Sequence, residues 1–520
     1  MTGPGTGEPR ARHERRRPDR RPDRPVTDTV PTPRTRLSTD GRRQRRRDLA
    51  ALVGVALLVR LPSFFASRHL TFDDGVFGAS AVAVRAGGVP FRDVFSSQGP
   101  MFLPLIWLGD LVGLHTLDGP RLTMLASAVA LVVAVYLAGR EVSDRLGALV
   151  AGGLAALTGS SIAVTGSLAA DGPAMAFAAA AVLVALRYRR DPSTRRAVLI
   201  GVLLGTALCV KALVLPAAIP IGLVLLFGRR VPDWFAAVGS AVAVGLGSSL
   251  AFGFADVWDQ SVTYHLDAPG SSDPIDNLVK VLDTLVTRDP LLLALGAVTI
   301  VALVLRRRRG EPAAVAPEGA HPPAPGDRRV PAPGLLLGLW AVAMLLVLVG
   351  EHPLWRPHVS ELVPPLALLV ARYRPALKPV VVTAAVALPL SLAFTWGAIT
   401  PLWYTGDEAD VVAELRALPD GALAISDEPG QVWRAGRRTP DWLVDTSVLR
   451  TDSDRPSLWI RTDTVLDEAA RPDVCAVVLW TPRFREDLEG LDDGLLAEGY
   501  DLAARYDRDR RLYVKDDCRP

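Results

Sequence analysis

Long apolar segments separated by arginine-rich stretches constrain the fold of this chain more than any other feature. A helix needs about 20 mostly apolar residues to cross a bilayer, and many segments here approach that length. Of the 520 residues, 49% are hydrophobic, and the mean hydropathy is +0.25, which is high for a soluble chain of this length. We therefore predict a polytopic α-helical membrane protein with about 11 transmembrane helices. The predicted spans are residues 49–65, 122–138, 146–164, 173–186, 197–210, 213–227, 234–252, 290–305, 335–349, 359–369 and 380–396.

The arginine-rich stretches predict how these helices are oriented. Residues 1–48 hold fifteen Arg and seven acidic residues, and the basic run from Arg42 to Arg47 directly precedes the first span. Positively charged flanks stay in the cytoplasm, so the N-terminus is predicted to be cytoplasmic. Residues 101–114 are short for a span and contain Asp110, which favours a re-entrant helix. If this segment does not cross, the other Arg-rich loops fall on the cytoplasmic side and the C-terminus lies outside.

Composition divides the chain into three regions. Residues 1–48 are predicted to be a disordered basic tail, whose arginines are topology signals that can touch anionic lipid and are not a nucleic-acid site. Residues 49–400 form the transmembrane region, with an outer loop at 68–118 and a cytoplasmic linker rich in Pro, Ala and Gly at 310–333. Residues 403–520 are polar and alternate predicted helices and strands, which favours a small extracytoplasmic α/β domain.

Secondary structure in the polar regions is predicted from periodicity. The apolar residues Ile275, Leu278, Val279, Leu282 and Leu285 recur at helical spacing in an outer loop, opposite Asp276, Lys280 and Asp283. We expect this helix to lie on the membrane surface. In the C-terminal region the patterns predict helices at 407–418, 464–470 and 484–498, and strands at 422–426, 474–479 and 511–514.

The three cysteines give limited information on compartment. Cys209 lies in an apolar segment and is interpreted as a packing residue. Cys475 and Cys518 lie in the C-terminal region, where an oxidising environment would allow them to pair. Two independent cysteines fit the sequence equally well.

Polar residues that stand out fall on the predicted outer side. Asp73 and Asp74 are adjacent and follow the first span almost immediately, where acids near lipid are costly unless they serve a function. Solvated loop positions are the simpler interpretation of Gln98 and His265. For these two residues that interpretation is favoured, and their functional alternative is to position the acceptor or a loop. For the acidic pair a functional role is favoured.

Further outer residues could complete a site. Asp171 precedes Gly172-Pro173 and a helix, so capping of that helix competes with a catalytic role. Lys211 has apolar residues on both sides at the tip of a short hairpin, where a functional role is favoured slightly over a structural one. The remaining candidates are His352, Arg356 and His358.

This set of residues suits the transfer of a sugar from a membrane-embedded polyprenyl-phosphate donor. A polyprenyl phosphate is a good leaving group, so the protein needs a carboxylate that removes a proton from the acceptor hydroxyl. It also needs cationic groups to hold the phosphate as negative charge develops there. We assign these roles to Asp73, tuned by Asp74, and to Lys211, Arg356 and the two histidines of the late outer loop.

Several stretches, in this order, resemble GT-C glycosyltransferases, in particular protein O-mannosyltransferases and lipid A aminoarabinose transferases. The resemblance covers about residues 49–400. It is carried by Asp73-Asp74-Gly75-Val76-Phe77, Gly88-Val89-Pro90-Phe91-Arg92-Asp93, Gln98-Gly99-Pro100-Met101-Phe102, Asp171-Gly172-Pro173, the Gly201 to Pro216 hairpin and the His352 to Pro365 loop. Part of the C-terminal region, from Arg438 through Ser447, is also similar to the external domain of some bacterial members. Such a domain could be a lid that only packs on the helices or a module that binds the acceptor.

The resemblance implies roles residue by residue. Asp73 matches the catalytic base, Asp74 the second acidic position and Asp171 the helper acid. Lys211 and Arg356 match the phosphate-binding set. Two positions depart from the pattern: Asp74 stands where Glu is common, and Gly99-Pro100 replaces the usual Pro-Pro, which leaves the substrate open.

The sequence thus predicts an inverting hexosyl- or pentosyltransferase of the cell membrane. It would move a sugar from a polyprenyl-phosphate donor to an extracytoplasmic acceptor, which is a protein, a lipid or a cell-wall glycan. No cofactor is predicted, and a divalent metal is compatible with the sequence. The alternatives are transfer of another group such as a phospho-alcohol, a membrane transporter, and a non-catalytic scaffold that presents the C-terminal domain. A transporter should carry acids at mid-membrane within repeated halves, and the sequence has no visible repeat.

Overall fold

The structure is a computed structural model that describes residues 39–65, 71–228, 230–268, 273–316, 331–399, 406–451 and 458–519. The basic tail up to residue 38 and most of the predicted linker at 310–333 lie outside these ranges. Residues 47–520 form one compact unit.

The first part of the chain is almost entirely helical. Each of the eleven predicted apolar segments is helical in the structure, in some cases as two pieces. The helices are α1 Thr39–Phe65, α2 Phe72–Arg85, α3 Phe102–Val112, α4 Leu122–Val142, α5 Arg145–Leu157, α6 Gly159–Gly166, α7 Asp171–Arg190, α8 Thr194–Val210, α9 Ala218–Phe227, α10 Val231–Phe252, α11 Phe254–Trp258, α12 Tyr264–Leu266, α13 Pro274–Arg288, α14 Pro290–Arg308, α15 Pro333–Gly350, α16 Val363–Tyr373 and α17 Leu377–Ile399. Short 3-10 helices at Ala212–Ala217 and Arg356–Leu362 precede α9 and α16.

The lengths of these helices bear on the predicted membrane spans. Within the described ranges, five helices are long and apolar enough to cross a bilayer, and a sixth crossing results if α5 and α6, bent by 53° at their junction, form one span. The total of about eleven spans therefore stays a prediction. Helix α3 has only 11 residues, or roughly 16 Å at 1.5 Å per residue, which is about half the hydrocarbon thickness. Its length agrees with a segment that does not cross.

Small residues and satisfied polar groups hold the helix bundle together. A Cβ added to Gly201 of α8 would lie 2.0 Å from the carbonyl oxygen of Ala237 in α10, so only glycine permits this helix contact. Arg60 is fully buried in α1, and its guanidinium donates to the Ala156 carbonyl and the Thr165 hydroxyl. A buried charge is tolerated only with such partners, so these bonds anchor α1 to the α5–α6 bend.

Helix α13 is amphipathic, as its periodicity predicts, and part of its polar side contacts the loop after α15 while Asp276 is exposed. Asn277 donates to the Glu351 carbonyl at 2.8 Å, and Lys280 donates to the Leu354 carbonyl at 2.7 Å. Leu285, expected on the exposed apolar face, is buried. The helix thus supports the loop after α15, while Ile275, Leu278, Val279, Leu282 and Val286 are exposed.

The C-terminal part contains a four-stranded sheet of order β1-β2-β4-β3. Strands β1 and β2 are parallel, whereas β4 runs antiparallel to both β2 and β3. The strands are β1 Leu423–Ser426, β2 Val474–Leu479, β3 Tyr500–Tyr506 and β4 Arg510–Lys515; the helices are α18 Asp407–Ala417, α19 Pro429–Arg434, α20 Val448–Thr451, α21 Thr462–Ala469, α22 Pro482–Arg485 and α23 Leu491–Ala497.

Two apolar clusters cover the two faces of this sheet. The predicted strands β1, β2 and β4 are present, whereas β3 was not predicted because most of its residues are exposed and its pattern is weak. The helix predicted over 484–498 is interrupted between α22 and α23. A disulfide joins Cys475 to Cys518, which resolves the alternative that the sequence leaves open.

Candidate active site

A cavity of about 760 Å³ lies where the outer loops of the helical part meet the C-terminal region. Its wall combines acidic, cationic and aromatic side chains, the mixture expected of a site for a charged ligand. Seven of the nine residues predicted for the site line it, namely Asp73, Asp171, Lys211, His352, His358, Gln98 and His265. Asp74 and Arg356 do not.

Asp73 lies in the first turn of α2 and is accessible from the cavity. No residue in the described ranges hydrogen-bonds to its carboxylate. Although the side chain is exposed to the cavity, the protein that surrounds it partly desolvates the carboxylate. This burial raises the pKa of Asp73 to about 7, and the Lys211 ammonium opposes the rise. A carboxylate with a pKa near neutrality is suited to general-base chemistry.

Asp74, by contrast, is buried and fixes the start of α2. It forms a capping box with Thr71, in which the Asp74 amide donates to the Thr71 hydroxyl at 3.2 Å. Its carboxylate also accepts a hydrogen bond from the Leu168 amide at 2.7 Å and pairs with Arg121 at 3.0 Å. Those two contacts are to Oδ1, and Oδ2 accepts a hydrogen bond from the Thr71 amide at 3.2 Å. Both oxygens are therefore occupied, and the geometry favours a positioning role for Asp74 over direct catalysis.

A buried ion pair forms the floor of the cavity. The Lys211 ammonium lies 2.9 Å from both carboxylate oxygens of Asp171. Lys211 stands between α8 and the 3-10 helix that precedes α9, at the tip of the predicted hairpin. Asp171 does not act on α7 through an N-cap hydrogen bond, since it is the first residue inside that helix and its cap residue is Ala170.

A close backbone contact places Lys211 against the first outer loop. The Met101 amide donates to the Cys209 carbonyl at 2.9 Å, and the Gly99 amide donates to the Val210 carbonyl at 3.3 Å. A Cβ on Gly99 would lie 2.2 Å from the Cys209 oxygen. The glycine at this position, which departs from the Pro-Pro of the resembled families, is therefore required by the packing here.

The loop after α15 brings two histidines to the cavity wall. His352 and His358 line the cavity, and His358 pairs with Glu351, an acidic lining residue that sequence reasoning missed. Arg356 turns away and pairs with Asp283 of α13 at 2.8 Å. A phosphate-binding role for Arg356 would require this ion pair to open.

Gln98 and His265 occupy the rim between two outer loops. The Nε2 atom of His265 lies 2.7 Å from the Ser97 carbonyl oxygen. Burial lowers the pKa of His265, so the neutral ring is favoured near pH 7. His265 thus contacts the first outer loop directly, while Gln98 faces the cavity beside it.

The C-terminal region contributes to the cavity, which the sequence did not reveal. Asp445, Ser447 and Arg483 line it, and the Arg483 guanidinium lies 4.4 Å above the Phe72 ring, next to Asp73. The stretch ending at Ser447 stood out in the sequence, but Arg483 carried no signal. Its position depends on how α22 packs against α2.

Helix α2 packs directly on helix α19. A Cβ on Gly75 would lie 2.4 Å from the Gly430 nitrogen, and one on Gly78 would lie 2.3 Å from the Trp433 ring. Two glycines on one face of α2 therefore allow the C-terminal region to hold the helix that carries Asp73.

No metal-binding arrangement is found among the residues that the structure describes: these contain no group of three or more His, Cys, Asp or Glu side chains placed to hold an ion.

The helical fold with its cavity is similar to the fold of membrane glycosyltransferases of the GT-C type. Residues 97–252 match the family model described as dolichyl-phosphate-mannose-protein mannosyltransferase. No curated protein matches the chain in sequence.

Solved structures extend the similarity over most of the chain. ArnT from Cupriavidus metallidurans in the apo state is similar with a TM-score of 0.61 at 13% identity, over 92% of this chain and 100% of that chain. ArnT from the same organism bound to undecaprenyl phosphate gives 0.57 at 14% identity, over 91% and 99%. The archaeal oligosaccharyltransferase AglB from Archaeoglobus fulgidus, in complex with an inhibitory peptide and a dolichol-phosphate, gives 0.52 at 12% identity, over 92% and 75%. The resemblance to O-mannosyltransferases and lipid A aminoarabinose transferases is thereby confirmed.

Proposed function

We propose that this chain is an inverting glycosyltransferase that moves a sugar from a polyprenyl-phosphate donor to a hydroxyl group of an extracytoplasmic acceptor. One observation carries the proposal: an accessible carboxylate, Asp73, and a cationic group, Lys211, line the same cavity in a GT-C fold. The undecaprenyl phosphate bound to ArnT and the dolichol-phosphate bound to AglB support a donor of this chemical class.

The reaction follows from the positions of the two groups. Asp73 removes the proton of the acceptor hydroxyl as its oxygen attacks the anomeric carbon of the donor sugar. The bond between that carbon and the phosphate oxygen breaks, and the polyprenyl phosphate leaves with the electron pair. Lys211, with His352 and His358, stabilises the charge that develops on the phosphate. Asp171 holds Lys211 in place.

The location of this chemistry rests on the charge pattern and on the disulfide. With the N-terminus in the cytoplasm, the cavity and the C-terminal region lie outside. The Cys475–Cys518 disulfide supports this side, because such bonds persist in oxidising compartments. The acidic residues gather in one cavity at the predicted outer surface, which supports an enzyme over a transporter with acids at mid-membrane.

Asp73→Asn tests the proposal in the full chain reconstituted in liposomes. Radiolabelled undecaprenyl-phosphate mannose is the probe donor, and an envelope fraction of the source cells is the acceptor pool. We expect the variant to lose transfer by roughly 10²- to 10⁴-fold, the usual contribution of a general base, while it still binds undecaprenyl phosphate.

The matched control is Asp93→Asn, an acid of the same loop that pairs with Arg92 at the surface. It should transfer at the wild-type rate. Normal transfer by Asp73→Asn would show that Asp73 is not the base. Absence of transfer by the wild type, tested with mannosyl, glucosyl and aminoarabinosyl donors, would reject the proposed function itself.

A further inference from the structure

The C-terminal region supplies a carboxylate whose hydrogen-bonding capacity is only partly used. Asp445 is 4% exposed and lines the cavity together with Asp73. Its Oδ1 accepts a hydrogen bond from the Ser447 amide at 2.9 Å. Its Oδ2 receives no hydrogen bond from the part of the chain that the structure describes. This oxygen is open to the cavity, so an otherwise buried carboxylate offers an acceptor there to a hydrogen-bond donor of a ligand.

The segment around Asp445 is rigidly held. The buried Arg450 donates to the carbonyl oxygens of Asp445 at 2.6 Å and of Trp442 at 2.7 Å. Its guanidinium also lies 4.0 Å from the centre of the Phe95 ring, in the first outer loop. These contacts fix the carboxylate before any ligand binds, which lowers the entropic cost of binding.

A second contact ties the segment to the cavity wall. The Tyr264 hydroxyl and the Ser447 hydroxyl lie 2.9 Å apart, and both residues line the cavity. The segment that carries Asp445 thus contacts two loops of the helical part, through Arg450 on Phe95 and through Ser447 on Tyr264.

We infer that Asp445 binds the acceptor substrate and helps to direct its hydroxyl group toward Asp73. An ionised carboxylate only accepts hydrogen bonds, so its partner must carry O–H or N–H groups. The donor phosphate has neither in its ionised form and would be repelled by a second negative charge. It belongs at Lys211 and the histidines, which leaves the Asp445 wall for a substrate hydroxyl. The acceptor hydroxyl is the one that must reach Asp73, and Asp445 lines the same cavity as an electrostatic neighbour of Asp73. This inference rests on the proposed function.

Asp445→Asn separates this role from a structural one. Asparagine keeps an Oδ1 that can accept the Ser447 amide, so the local turn is preserved, while the charge on the free oxygen is lost. The assay uses the full chain in liposomes, undecaprenyl-phosphate [³H]mannose and the envelope fraction. It measures the acceptor concentration and the donor concentration that give half-maximal transfer, and the rate at which water slowly hydrolyses the donor.

We expect the half-saturating acceptor concentration to rise by roughly 10- to 150-fold, the range for losing a hydrogen bond to a charged group. Donor saturation and donor hydrolysis should stay within about twofold of wild type. The matched control is Asp441→Asn, which lies in the same segment, pairs with Arg438 at 3.2 Å and is absent from the cavity wall. It should behave as wild type.

Three outcomes would overturn the inference. Unchanged acceptor saturation would show that the carboxylate makes no contact with the acceptor. A rise in the half-saturating donor concentration, with the acceptor value unchanged, would place Asp445 at the donor sugar. Loss of donor hydrolysis together with a lower unfolding temperature, repeated in Asp445→Ser, would assign it a purely structural role. If the wild type transfers no sugar from any donor tested, the proposed function is wrong. If the wild type does transfer sugar, the results with Asp445→Asn test only the role of Asp445.

Discussion

The Lys211–Asp171 pair can be tested for two separable roles, one in stability and one in donor binding. Both side chains are nearly buried, with 12% and 4% exposed, and the ammonium is 2.9 Å from each carboxylate oxygen. Removing one member of such a pair leaves an uncompensated buried charge, which costs about 3–5 kcal/mol. Replacing both members leaves no charge behind. We therefore expect Lys211→Met and Asp171→Asn to be strongly destabilised, and the double variant to recover most of the lost free energy of unfolding.

Donor affinity should follow a different pattern across the same four proteins. A hydrogen bond to a charged group contributes about 1.5–3 kcal/mol, so losing the ammonium should weaken undecaprenyl phosphate binding by roughly 10- to 150-fold. Lys211→Met and the double variant should both lose this affinity. Asp171→Asn keeps the cation and should bind the phosphate at least as tightly as wild type.

Two measurements decide the matter: unfolding in detergent for stability, and titration with undecaprenyl phosphate for affinity. The reasoning is refuted if the double variant regains phosphate affinity along with stability, because the cation would then be unnecessary. It is refuted equally if either single variant is as stable as wild type, because the pair would then be solvated.

Two further predictions concern the same cavity. Burial raises the pKa of Asp73 to about 7, and a base acts only when ionised. The transfer rate at limiting substrate concentrations, which reports the groups of the free enzyme, should therefore rise with pH between 6 and 8 with a midpoint near 7. A rate that stays flat down to pH 5 would exclude Asp73 as the titrating base. Gly99→Ala places a Cβ 2.2 Å from the Cys209 carbonyl oxygen, a backbone atom that cannot rotate away. We therefore expect this variant to lose about 1–3 kcal/mol of stability and to bind undecaprenyl phosphate more weakly. The control Gly222→Ala has no atom within 4 Å of its added Cβ and should match wild type in thermal unfolding and in the phosphate titration.

The sequence by itself determined the helical architecture and the position of the first acid. Apolar segments of near-bilayer length can form only helices in lipid, since each backbone group must be bonded within its own segment. The pattern therefore located the eleven helical segments and, apart from them, the short α3, whose 11 residues agree with a segment that does not cross. It also placed Lys211 at a hairpin tip, because a lysine between apolar runs marks the point where two helices meet.

Only the tertiary structure decided which polar residues share the cavity. Asp73 and Asp74 are neighbours in sequence, but a helix turns successive side chains about 100° apart, so Asp73 faces the cavity and Asp74 faces Arg121. Arg356 has the charge expected of a phosphate ligand, yet Asp283 of a distant helix binds it.

The contribution of the C-terminal region was also beyond the reach of sequence patterns. Asp445 and Arg483 reach the cavity because Gly75 and Gly78 let α19 pack closely on α2. Side-chain periodicity reports which face of an element is buried, but it does not report which partner buries it. That partner depends on contacts between residues hundreds of positions apart, and here those contacts bring the C-terminal carboxylate of Asp445 to the same cavity as Asp73.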